Sequence, residues 1–331
     1  MAVNLEDSSS AVALPRPRSR QGLFLRLFVS AAILALLVPR IDPEALAPGD
    51  PDFTMLAYVS ACVVMIGIGL VLSAWRWQRV LETLEVPVRL GDLISHHLAG
   101  QFVGNFLPST IGGDVLRVYR LGMSIGWETS FSSVVLERLT GWVVLPVLTL
   151  TALVAQPSLL QLGLATRLAF ALSIGTLVLL GLVIAAGASP RLAGRFSQRS
   201  GVVGFMGEVH VGIARLRHHP SGTLGILIAA VVYQLSTVVT VYLATQALGL
   251  DVPFGWALAY APVVAIAQVL PFSLNGLGLR EGALVIFLGP LGVSAAQCVA
   301  VGLLLHATTL LVSLCGAPSF AFGAKRRPQV I

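Results

Sequence analysis

The sequence predicts an all-α integral membrane protein with about six transmembrane helices and two re-entrant broken-helix hairpins arranged as an inverted repeat. Three observations carry this reading. Of 331 residues, 56% are hydrophobic and only 11% charged, against roughly 25% charged in soluble domains. Two apolar stretches are interrupted by Pro and Gly and yet carry charge. Those two stretches also resemble each other.

Composition excludes several classes. The 21 Lys and Arg residues against 15 Asp and Glu give a net charge of +6, and only Lys325 is a lysine. These charges gather at the ends of apolar segments, which suits topology and anionic lipid head groups; no basic and aromatic surface module for nucleic acid is visible. Cys62, Cys298 and Cys315 fall inside apolar segments and form neither a disulfide framework nor a CxxC signature. Ala45-Leu46-Ala47 imitates a signal-peptide cleavage site, but Pro48 follows it and the polar lead is long, so a retained first helix is expected.

In order, residues 1–22 read as a disordered cytoplasmic tail, 23–322 as a single transmembrane domain, and 323–331 as a second cytoplasmic tail. The spans are expected at 23–38, 54–74, 131–154, 168–188, 224–248 and 296–322. Trp75-Arg76-Trp77 reads as an interfacial anchor closing the second span, and Gln78 to Asp92 as an interfacial helix. From Gly100 to Arg120 the chain reads as irregular backbone at membrane depth, with Pro108, Gly112 and Gly113 as breaks. A second broken region, 254–290, is interrupted at Pro271 and at Asn275-Gly276-Leu277-Gly278. Broken backbone is tolerated within a bilayer only against protein or a wet cavity, so both regions point to a site.

Orientation follows from the excess of Lys and Arg in cytoplasmic loops. The tail arginines, the Arg76 to Arg89 segment, the basic connector from Pro190 to Pro220 and Lys325-Arg326-Arg327 are all expected inside, with both termini cytoplasmic. Crossing parity agrees if each broken region enters and leaves on one face.

The two broken regions align without a gap at a shift of 163, pairing Leu107–Arg117 with Leu270–Arg280 at five identities in eleven positions. The same shift carries the second span onto the fifth and the third onto the last. Units of about 54–154 and 217–317 result, and the charge bias gives them opposite orientation. Discontinuous helices of inverted repeats form the binding sites of many secondary transporters.

Arg117 and Arg280 occupy the same repeat position, just past the break where a new helix starts. A helix N-terminus with a guanidinium suits phosphate; the competing reading is that each Arg snorkels to the head groups. In the first reading they face one cavity from opposite membrane sides. Asp114 and Glu281 flank them, and Glu137-Arg138 lie about two turns inside a span as a further intramembrane pair. As helix neighbours pointing about 100° apart, Glu137 and Arg138 should find different partners, Arg138 with Asp114. Asn105 and Asn275 complete the candidate head-group contacts. His306 reads as a core histidine or a proton relay, and His96-His97 and His218-His219 as solvated interfacial faces. No metal ligand set, cofactor motif or catalytic constellation is recognisable, so neither a cofactor nor enzymatic activity is expected.

With Gly104-Asn105-Phe106-Leu107-Pro108, Gly112-Gly113-Asp114 and Arg117, Glu137-Arg138, Pro271, Gly276-Leu277-Gly278 and Arg280-Glu281-Gly282, the chain resembles the lysylphosphatidylglycerol synthase transmembrane (flippase-like) family over residues 20–325. The resemblance implies a lipid-translocating domain of the bacterial inner membrane. In bifunctional members it moves aminoacylated phosphatidylglycerol between leaflets beside a C-terminal synthase domain, which is not expected here because the chain ends soon after Arg327. Single-domain relatives are associated with glycolipid, polyprenyl-phosphate and hopanoid pathways. The expectation is thus a lipid flippase or lipid transporter for an anionic or lipid-phosphate-linked amphiphile. The alternative is an integral-membrane enzyme or accessory subunit of polyprenyl-linked glycolipid or hopanoid synthesis. The expected partners are a membrane lipid and a membrane glycosyltransferase.

Overall fold

The structure, a computed structural model, describes residues 52–106, 112–161, 163–188, 210, 212–216, 218–269 and 276–322. The expected span at 23–38, most of the 190–220 connector and the Lys325-Arg326-Arg327 cluster lie outside them, as do Pro108, Pro271 and Asn275. The described residues form helices and no strand, and five of the helices are long and apolar enough to cross a membrane. The chain is an all-α integral membrane protein.

Helix α1 (Phe53–Thr83) starts at Asp52, whose carboxylate accepts the Met55 N–H at 2.7 Å. Its 31 residues extend about 46 Å, longer than the hydrocarbon core alone requires. The expected end of this span at residue 74, and the separate interfacial helix from Gln78, are corrected. Apolar burial continues past the Trp-Arg-Trp triplet, with Ala74, Trp77 and Leu81 packed on Val88, Leu93, Leu121 and Val134. Trp77 is fully buried and Arg76 is 6% exposed, so this triplet is no surface anchor. The exposed Arg79 and Arg89 remain as the basic marker of that end. The helix closes where Glu85 turns left-handed at φ 62°. There the Val86 N–H donates to Leu81 O and the Glu85 N–H to Glu82 O, both at 3.0 Å.

The next helices are α2 (Leu90–Phe106) and α3 (Gly112–Ile125). Gly100 to Phe106 and Gly112 to Arg120, expected to be irregular, are regular helix, and Gly112 and Gly113 open α3 rather than break it. The glycines serve packing instead. A Cβ on Gly100 would lie 2.9 Å from the Gly113 carbonyl oxygen, so the two backbones touch where neither carries a side chain.

Helix α4 (Trp127–Ala155) and a 3-10 turn at Pro157–Gln161 lead to α5 (Leu164–Ala188). The second half comprises α6 (Pro220–Ala247), α7 (Phe254–Val269), α8 (Leu279–Leu288), α9 (Ala295–Leu314) and α10 (Gly316–Phe322). Helices α9 and α10 meet at Cys315, whose backbone is itself right-handed helical, so the expected last span at 296–322 stands as one apolar run over Ala295–Phe322. Helix α6 ends as α1 does: Gly249 is left-handed, the Leu250 N–H donates to Thr245 O, and the Gly249 N–H donates to Gln246 O.

The order long helix, short helix, short helix, long helix thus occurs twice, and the packing repeats with it. Helix α2 lies on α9 and α10 of the other unit, and α7 lies on α4, so each unit rests its first short helix on the other's closing helix. The two first helices, α1 and α6, pack along their length and run antiparallel. Cys62 meets Thr240, Gly69 meets Ser236, and Thr83 meets Gly222, so one number rises as the other falls. Antiparallel packing of corresponding helices is the arrangement an inverted repeat requires. Helix α5 stands outside this pattern against α4 and α7, with Val178, Leu179 and Leu182 exposed for lipid.

The α2–α3 contact makes a prediction. Gly113→Ala should cost about 1–3 kcal/mol by overpacking. Gly67→Ala on α1, where a Cβ would meet nothing within 4 Å, should gain about 0.5–1 kcal/mol. Thermal melting of both variants in one detergent checks the opposite signs.

Candidate functional site

The two units enclose a cavity of about 490 Å³. Arg117 and Arg280 both line it, as do Asp114, Glu137, Arg138 and Asn105. Neither arginine of the repeat position snorkels to an outer surface, since each is turned to the shared cavity.

The charged part is built by α1, α3 and α4. Glu137 is 1% exposed, and an isolated carboxylate at that burial would be strongly disfavoured. Its Oε1 pairs with Arg76 Nη2 and accepts from Ser73 Oγ at 3.2 Å, while its Oε2 accepts from Arg117 Nη2 at 2.7 Å. Arg117 also reaches Asp114 at 3.3 Å and lies 4.2 Å over the Trp77 ring. Trp77 is held by its indole N–H, which donates to Ser133 Oγ at 2.9 Å. Arg76 lies 4.7 Å over the Tyr233 ring of α6, and Gly141 leaves room for it, because a Cβ there would sit 2.6 Å from Arg76 Nη1.

Glu137 and Arg138 do take separate partners: Arg138 Nη2 lies 2.5 Å from Asp114 Oδ2. Three guanidiniums thus surround two carboxylates, leaving one net positive charge. The sequence reading missed Arg76 in this group. The signal was the apolar period of Ala74, Trp77 and Leu81, which places Arg76 beside a buried face rather than at an interface.

Arg280 enters from the other unit. Gly276 and Gly278, at φ 79° and 83°, form the turn into α8, a conformation open to glycine. Arg280 Nε then donates to Gln268 Oε1 of α7 at 2.9 Å. Among the described residues no carboxylate lies within ion-pair distance of Arg280, and residues 107–111 and 270–275 contain no acid. Glu281 does not line the cavity with it. That side chain is fully buried, accepts the Gly278 N–H at 2.6 Å as a cap of its own helix, and lies against Gly302 of α9.

His218 and His219 are exposed, as expected, whereas His96 and His97 are placed differently from expectation. His96 is 4% exposed rather than solvated, and His97 lines the cavity. Both face inward because α2 is sandwiched between α1, α3 and α9 instead of lying at an interface. His306 also borders the cavity.

Residues 23–316 match the family described as lysylphosphatidylglycerol synthase TM region. The chain is 25% identical over 292 residues to a UPF0104 membrane protein of Methanothermobacter thermautotrophicus, covering 80% of this chain and 83% of that one. It is 26% identical over 344 residues to a protein named Glycosyltransferase AglD of Haloferax volcanii, covering 91% of this chain and 54% of that one. The chain therefore spans about half the length of the latter relative.

The ion-pair geometry predicts two unequal effects. Glu137→Ala strands Arg76 and Arg117 without their counter-ion and should cost about 3–5 kcal/mol. Arg138→Ala removes a pair whose arginine side chain is 42% exposed and should cost under about 1 kcal/mol. Denaturation of the two variants in the same micelles reads the difference.

Proposed function

We propose, from the premise that the chain belongs to the lysylphosphatidylglycerol synthase transmembrane-region family, that it is a lipid transporter. It would move an amphiphile with a phosphate-bearing head group between leaflets of a bacterial inner membrane, with both termini cytoplasmic. The observation that carries this reading is Arg280, a cavity-lining guanidinium with no carboxylate partner among the described residues. A guanidinium in a low-dielectric cavity without a counter-ion is a standing demand for an anion, and its planar fork matches phosphate. The cavity volume of about 490 Å³ suits a head group, with the hydrocarbon tails left in the bilayer.

The chain's own parts take distinct roles in this reading. Arg280 receives the phosphate. The ion pairs around Glu137 brace α1, α3 and α4 as a rigid wall, and Arg138, only partly covered, offers a second guanidinium. The antiparallel pair α1 and α6 is the seam along which the units rock to open the cavity to one face and then the other. Asp114 is a positioning residue in this scheme, holding Arg117 and Arg138.

A second reading, an enzyme or accessory subunit acting on a polyprenyl-linked glycolipid, is favoured by the name of the Haloferax relative. Conversion of such a lipid by the purified chain, with no exchange in liposomes, would select it.

In proteoliposomes, Arg280→Gln should slow leaflet exchange of a fluorescent phosphatidylglycerol at least about tenfold, the loss of a charge-assisted contact. Its melting point should stay near wild type, since no ion pair is broken. Wild-type exchange by a folded Arg280→Gln protein would rule the transport reading out.

A further inference from the structure

We infer that the cavity selects a lipid phosphate whose head group is otherwise neutral and rich in hydroxyls, and excludes an aminoacylated head group bearing an ammonium. The inference rests on the transport reading only in placing the head group in this cavity. An ammonium needs an available carboxylate, and none is available there. The cavity's acids among the described residues are Asp114 and Glu137. All four of their oxygens already hold an arginine: Glu137 Oε1 holds Arg76, Glu137 Oε2 and Asp114 Oδ1 hold Arg117, and Asp114 Oδ2 holds Arg138. Glu281, the remaining nearby acid, is fully buried and outside the lining: its Oε2 caps its own helix, and its unpartnered Oε1 is turned toward Gly302 of α9 rather than into the cavity.

With Arg280 counted, and with the buried Glu281 set beside it, four guanidiniums stand against three carboxylates, so the field in the cavity is still positive. A cation entering would meet repulsion, strengthened by the low local dielectric. A phosphate would meet Arg280, of which only Nε is engaged among the described residues, by Gln268.

Three hydroxyls of the lining supply neutral acceptors. Thr237 donates to Gln234 O at 2.7 Å, Thr309 to Leu305 O at 2.7 Å, and Ser236 to Tyr233 O at 2.6 Å. Each hydroxyl has given its proton to its own helix, so what it presents to the cavity is a lone pair. Lone pairs without charge suit the hydroxyl donors of a polyol or sugar.

The test is competition for the purified full chain in detergent micelles, with bound lipid identified by native mass spectrometry. Phosphatidylglycerol against lysyl-phosphatidylglycerol, at equal concentrations, should favour the former at least about tenfold. Phosphatidylglycerol against phosphatidylmethanol, which carries equal charge but no hydroxyl, should favour the former by a smaller factor of about three to ten. Arg280→Gln should bring the first ratio toward unity. Equal or stronger retention of lysyl-phosphatidylglycerol, or binding of none of these lipids, overturns the inference; parity with phosphatidylmethanol overturns its hydroxyl half. The preference without leaflet exchange in liposomes supports the inference while refuting transport. Exchange of both glycerol lipids at one rate does the reverse.

Discussion

A buried carboxylate is the constraint on which the rest depends. Glu137 lies about three turns inside α4 at 1% exposure, where an ionised acid survives only if it is paired and hydrogen-bonded. Arg76 from α1, 61 residues earlier, and Arg117 from α3, 20 residues earlier, provide that pairing. Three helices must therefore hold a single mutual register. The aromatic faces of Trp77 and Tyr233 lie on the two guanidiniums, and Gly141 clears the space for one of them. In a bilayer, where apolar side chains gain little by leaving lipid for protein, such polar contacts and close small-residue packing supply much of the specificity of helix association.

The two halves share a frame and differ in charge. Helices α1 and α6 end in the same left-handed closure, and the short helices are exchanged between closing helices in the same way. Under the 163-residue shift, however, Arg76, Asp114 and Glu137 correspond to Val239, Leu277 and Ala300, while Arg117 corresponds to Arg280. The second unit has kept the arginine and none of its counter-ions. One arginine of the pair is thereby bound into the scaffold, and the other is left to the cavity. Gln268, which accepts from Arg280, stands where the first unit has another amide, Asn105.

This division separates structure from recognition within a single motif. The first unit's cluster ties all four of its carboxylate oxygens to arginines, keeps one net positive charge and braces a wall; the second unit's arginine adds a guanidinium outside those pairs. The hydroxyl-lined face of α6, which runs against α1, adds donors' partners without adding charge. The cavity thus has a rigid cationic side and a neutral accepting side.

Much of this was legible in the chain itself. Membrane residence, the helical class, the repeat and the position of the two arginines all follow from local properties: apolar run lengths, Pro and Gly placement, and self-similarity at one shift. Even the separate partners of Glu137 and Arg138 follow from the 100° step between helix neighbours. What sequence alone did not reveal depends on which helix faces which. Arg76 looked like an interfacial anchor because tryptophans flank it, and only the packing of α1 on α3 and α4 made it a counter-ion. His97 and Glu281 exchanged roles for the same reason, one turned into the cavity and one turned into α9. Run length and periodicity are written along a segment, whereas charge compensation is decided across segments. The tertiary structure alone therefore determined which of two equivalent arginines is paired with carboxylates and which, among the described residues, is not.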